Sequence, residues 1–179
     1  EALRHCLADE RTYRVARDNC IEVLFDIYRQ DVYESHGFMT SAANQLVRYT
    51  TSLERDRLAE QIRTLMTKAG GSVRQSYGKF LLDLQKEILG DEAYLHTCRE
   101  AGLTSYLIDR LLALCHSDEA ARETQSIENE DQFLGLVNLF MHHKQNVMAE
   151  RLVKAGRIEK PTGPVREGWK KSVQSVQAT

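Results

Sequence analysis

The residues of this chain best suited to chemistry are histidines and cysteines, and four of them invite a metal reading. His96-Thr-Cys98 and Cys115-His116 bring two imidazoles and two thiols into one stretch, the donor set of a tetrahedral zinc site. The spacing argues against it. Helical positions two apart point to nearly opposite sides, and adjacent positions diverge by about 100°, so neither pair converges on one ion. Core thiols with neighbouring surface histidines account for the pattern, and no metal or cofactor is expected. His142-His143-Lys144 likewise lacks the step of three or four that puts two ligands on one helical face. A cationic cluster at a helix end, favourable to the helix dipole, accounts for it. Nothing in the sequence nominates a nucleophile or oxyanion site beside these histidines, so the chain is read as non-enzymatic. An all-α enzyme would instead have to gather His36, His142 or His143 in a concave pocket.

Two further stretches could bind anions. Ala69-Gly-Gly-Ser-Val-Arg74 joins glycines, a helix start and a cation, so Ser72 and Arg74 are candidate anion contacts. The order Gly-x-x-x-x-Gly-Lys-Ser/Thr of a phosphate loop is absent, and a helix stop followed by an N-cap explains every residue. Between Arg48 and Lys79, Arg55, Arg57, Arg63, Lys68 and Arg74 add to a basic stretch that could contact phosphates. Its aromatics, Tyr77 and Phe80, belong to the expected core face and do not interleave with the charges as stacking platforms. Nucleic acid, contacted by Arg48–Lys79 together with the basic C-terminal tail, is therefore the second reading. The acidic run of Asp118, Glu119, Glu123, Glu128, Glu130 and Asp131 lacks the residue order of a calcium loop.

The elements that position these residues are helices. Of 179 residues, 42% are hydrophobic and 28% charged, and the only prolines are Pro161 and Pro164. So long a stretch without proline argues for long helices and against a turn-rich β fold. The formal charge of −2 gives no global field toward nucleic acid or an anionic membrane. No apolar run reaches the roughly 20 residues of a membrane span. Four cysteines, Cys6, Cys20, Cys98 and Cys115, fall among apolar helical positions, which predicts reduced, buried thiols and an intracellular protein, cytoplasmic or nuclear. The chain does not start with methionine, so its ends are expected to be those of a fragment.

Periodicity places the helices in order. The end of one occupies Glu1 to Ala8. The next runs from Asp9 to Gln30, with Tyr13, Ala16, Cys20, Val23 or Leu24, and Ile27 inward and a solvated, mixed-charge outer face. After a loop over 31–40, Ser41 caps a helix through Leu46, Val47 and Tyr49. Thr51-Ser-Leu-Glu54 is a capping box, followed by Leu53, Leu58, Ile62, Leu65 and Met66 up to Lys68. Ser72-Val-Arg-Gln75 reads as a second box, ahead of an inward face of Val73, Tyr77, Phe80, Leu81, Leu84 and Ile88. Gly90 is expected to close it in the left-handed conformation. Asp91 caps a short helix with Ala93, Tyr94, Leu95 and Cys98, which Gly102 ends, and Thr104 caps the helix of Leu107, Ile108, Leu111, Leu112, Leu114 and Cys115. The acidic run is a short helix or loop. A last, well-buried helix starts near Glu130, carries Leu136, Val137 and Phe140, and continues to Gly156. The division is thus an all-α domain over 1–156 and a basic tail over 157–179. In that tail Trp169, with Lys170, Lys171 and Arg166, is the candidate partner anchor.

Glu100-Ala-Gly-Leu103, Leu107-Ile108, Leu111-Leu112 and Ser117-Asp-Glu119 together resemble part of one armadillo repeat. The proline common after the glycine in that family is replaced here by Thr104-Ser105. No fixed period of about 40 residues recurs along the chain. The resemblance implies an armadillo- or HEAT-like stack of antiparallel helices, serving as a scaffold or adaptor that binds other proteins within a larger assembly. An irregular helical bundle is the alternative architecture.

Overall fold

The computed structural model describes residues 14–125 and 127–155, and all regular structure among them is helical. The helices are α1 (Arg14–Glu34), α2 (Met39–Tyr49), α3 (Ser52–Lys68), α4 (Gly71–Gln85), α5 (Asp91–Ala101), α6 (Thr104–Ala113), α7 (Ser117–Gln125), α8 (Glu130–His142) and α9 (Asn146–Ala155). They belong to two compact units, Glu1–Leu107 and Ile108–Thr179, with the division inside α6. The helix expected over Glu1 to Ala8 and the tail over 157–179 lie outside the described residues.

In the first unit the inward face of α1 is Ile21, Leu24, Phe25, Tyr28 and Asp31. This is a rotation from the expected face: Ala16 is exposed, Cys20 and Ile27 are half-buried, and Val23 points outward. Bulk decides the matter, because burying Phe25 and Tyr28 removes more apolar surface from water than burying Ala16 and Cys20. Tyr28 sits 4.4 Å from Phe80 and 6.0 Å from Tyr77, centroid to centroid. Its hydroxyl donates to the Ser76 carbonyl at 2.8 Å, which satisfies that buried donor. Burial pushes the Tyr28 phenol upward, and burial together with Tyr33 pushes Tyr77 up to about 12. On α4, Tyr77, Phe80, Leu81 and Leu84 are buried as the spacing predicts.

Several boundaries differ from the sequence reading. Helix α1 runs on to Glu34, so the first loop shrinks to residues 35–38, and α2 starts at Met39 without Ser41 as its cap. Helix α4 starts at Gly71 behind Gly70, which leaves Ser72 inside the first turn. The Ser72 capping box is not formed. Gln75 instead donates to the Gly102 carbonyl at 3.1 Å. Helix α4 also stops at Gln85, which strands Ile88 in a turn at 67% exposure. Gly90 has φ −67° and serves as the N-cap of α5, displacing Asp91 into the helix. Leu53, in the first turn of α3, is exposed as well.

The ends of α2 are capped by side chains that reach across from its neighbours. Asp31, buried on α1, accepts from the backbone amides of His36 and Met39, the latter at 2.6 Å. Burial alone would raise its carboxyl, but the amides of Met39, His36, Phe38 and Gly37 together hold it low. At the other end of α2, Arg17 donates to the Tyr49 carbonyl and Arg55 to the Val47 carbonyl. The short α2 thus has an anion at its N-terminus and cations at its C-terminus, matching the helix dipole. The Thr51 box forms as expected, with Glu54 accepting from the Thr51 amide at 2.7 Å. Where α4 meets α5 the packing is tighter still. A Cβ on Gly78 would lie 2.2 Å from that of Ala101, so only glycine fits there.

The second unit buries Leu111 and Leu112 of α6, Ala120 and Thr124 of α7, Phe133, Leu136, Val137 and Phe140 of α8, and Ala149 and Leu152 of α9. The long last helix of the sequence reading is two helices, broken at residues 143–145. Lys144 is left-handed there (φ 60°), with the Gln145 amide bonding to the Phe140 carbonyl at 2.7 Å. Cys115 (φ 62°) closes α6 in the same way through His116 and Leu111, and in the first unit Gly102 (φ 68°) closes α5 through Leu103 and Cys98. All three are Schellman closures. Asn129, not singled out by sequence, caps α8 by accepting from the Gln132 amide.

Candidate interaction groove

Helices α1 and α3 pack on their neighbours but leave a trough between themselves. Arg17 meets Glu54 near the start of both helices, and Arg29 shares the trough with Leu65 further along, so the two run in the same direction. Two adjoining cavities, of about 370 and about 200 Å³, share Glu22, Phe25 and Gln61 and make up the trough. From Asp18 to Arg29 it follows α1 for about 17 Å at 1.5 Å per residue.

Each edge follows from helical spacing. Ile21 and Phe25 of α1, with Leu58 and Leu65 of α3, give an apolar floor; the first three are buried and Leu65 is half-buried. Asp18, Glu22 and Asp26, each four residues from the last, line the α1 side. Arg57, Gln61 and Thr64 line the α3 side. At one end Arg17 grips both carboxylate oxygens of Glu54, at 2.7 and 3.0 Å. That bidentate bond, ahead of the Thr51 amide and hydroxyl, holds the Glu54 carboxyl down at about 2. Arg29 pairs with Asp26 at 3.6 Å and lies over the Phe25 ring.

Of the described residues singled out from sequence, Arg57 lines the trough, whereas Ser72, Arg74, His36 and His143 do not. Trp169, Lys170, Lys171 and Arg166 lie outside the described residues. Ser72 is exposed on the first turn of α4. Arg74 turns back so that its Nε donates to the Ala69 carbonyl at 2.8 Å, closing the end of α3. Much of the basic stretch is similarly engaged within the protein. Arg55 bonds Val47 and Glu87, Arg63 bonds Glu60 and Gln85, Arg48 covers Tyr49, and Lys79 covers Tyr106. His36 pairs with Glu34 at 2.9 Å and His143 with Asp109 at 2.8 Å; neither lines the trough.

The thiols differ from one another. Cys98 is buried, and burial pushes it up to about 11. Cys20 is half-buried, whereas Cys115, expected in the core, is exposed because the left-handed turn ends α6 before it. Cys6 lies outside the described residues. No group of three or more His, Cys, Asp or Glu side chains among the described residues is placed to hold a metal ion. No described helix is long and apolar enough to cross a membrane.

Sequence reasoning missed the trough because it treated the charged face of α1 as solvated. The available signal was the four-residue repeat of Asp18, Glu22 and Asp26 beside Ile21 and Phe25. Comparison of the chain with protein-family models, curated proteins and solved structures finds no match.

Proposed function

We propose that this chain is a non-enzymatic protein-interaction module that seats a partner segment in the trough between α1 and α3. The observation that carries the reading is the shape of the trough: long, open along its length, apolar at the floor and polar at both edges. A partner helix or strand is bound by this combination of buried anchors and polar rim. The resemblance of residues 100–119 to an armadillo repeat agrees with a scaffold role, and the basic tail around Trp169 is a second candidate contact in the same proposal.

The test is site-specific photo-crosslinking in a lysate of the native source. A benzophenone side chain replaces Gln61, at the centre of the trough, or Glu92, exposed on α5. Protein adducts identified by mass spectrometry from position 61 and not from position 92 are expected. No adduct at 61, or the same proteins at both positions, would overturn the reading.

A further inference from the structure

We propose that the occupant of this trough is a cationic amphipathic helix, lying with its Lys or Arg stripe against α1; this rests on the interaction reading above. Asp18, Glu22 and Asp26 repeat every four residues along one edge, a spacing at which like charges weaken a helix on its own. Asp26 has Arg29 as its cation. Asp18 and Glu22 have no ion-pair partner among the described residues. Glu54, which also faces the trough, is already held by Arg17. Two carboxylates at the rim of an apolar floor therefore await cations from outside.

Geometry selects the form of those cations. A partner helix with Lys or Arg at every fourth position repeats at about 6 Å along its axis, the same pitch as the carboxylates, so each cation meets one acid. Its apolar stripe then rests on Ile21, Phe25 and Leu58. The α3 edge carries Arg57, which repels a second cationic stripe and fixes which flank faces α1. A nucleic-acid backbone would meet the carboxylate edge with like charge and is disfavoured here.

The test uses fluorescence anisotropy with the full chain and two synthetic helical peptides of about five turns. One bears a Leu stripe flanked on one side by Lys at every fourth position; the other has Glu in place of each Lys. The Lys peptide is expected to bind at least about tenfold more tightly, with an advantage that fades as salt rises. Asp18→Lys combined with Glu22→Lys should erase or invert that preference while circular dichroism and melting stay unchanged. The same charge change made elsewhere, Glu92→Lys with Glu128→Lys, should leave the preference intact. Equal binding of both peptides, binding of neither, or an equal response to the two double variants would overturn the proposal. Adducts at position 61 would still stand in that case, so the charge reading can fail without the trough failing.

Discussion

Helix α2 has 11 residues and α8 has 13, and their ends are held by different means. Helix α8 carries its closures in its own flanking sequence: Asn129 in front, and a left-handed Lys144 behind. It also buries Phe133, Leu136, Val137 and Phe140. Helix α2 buries only Ala42 and Leu46 fully and has no side-chain cap at its own N-cap position. Asp31 and Arg17 of α1, with Arg55 of α3, satisfy its ends instead. A helix this short is marginal alone, so α2 exists because α1 and α3 are beside it. The closures of α8 survive the loss of a neighbouring helix; those of α2 do not.

The hardest blow to the first unit falls at Gly78, where α4 packs against the Schellman-closed end of α5. Gly78→Ala would force its Cβ against Ala101 and is expected to cost about 2–3 kcal/mol, despite alanine's better helix propensity, as read by chemical denaturation. Next comes Asp31→Ala, which should lower the denaturation midpoint because several amides lose their acceptor at once. Hydrogen exchange should quicken across α2 and stay unchanged in α8; uniform quickening would break the comparison. A double-mutant cycle on Arg17→Met and Glu54→Gln should give a coupling of about 1 kcal/mol. Glu54 is lowered from 4.5 to about 2 in the folded state. Its contribution is therefore complete above pH 4.5 and lost as pH falls toward 2, so Glu54→Gln should flatten the acid limb of thermal stability. The smallest effect has the opposite sign. Lys144→Gly should raise stability by about 0.5–1 kcal/mol in the same denaturation assay by relieving a left-handed residue with a Cβ.

What the sequence made legible follows the same division. Thr51 and Glu54 are three residues apart, and Gly102 is a glycine after a periodic run, so both closures could be read locally. Asp31 could not, because its ligands are amides of a loop that the sequence reading began too early. Lys144 and Cys115 carry no glycine to mark their turns, and so α8 and α9 read as one helix. The trough was hidden for a further reason. It depends on α1 and α3 running parallel with α2 between them in sequence, and periodicity within a single helix reports nothing about that. The inward face of α1 turned on Phe25 and Tyr28, whose bulk outweighs the better-spaced small residues that pointed elsewhere.

The bond from Tyr28 to Ser76 joins residues 48 positions apart, while most helices of the first unit meet the next one in sequence through short corners. Pairs such as α1 with α2, or α3 with α4, close small loops and cost little chain entropy. Joining the pairs through the aromatic cluster is the long-range step, and it is expected to set the pace of folding. The ring cluster of Phe25, Tyr28, Tyr77 and Phe80 is then the clock of the first unit as well as its core.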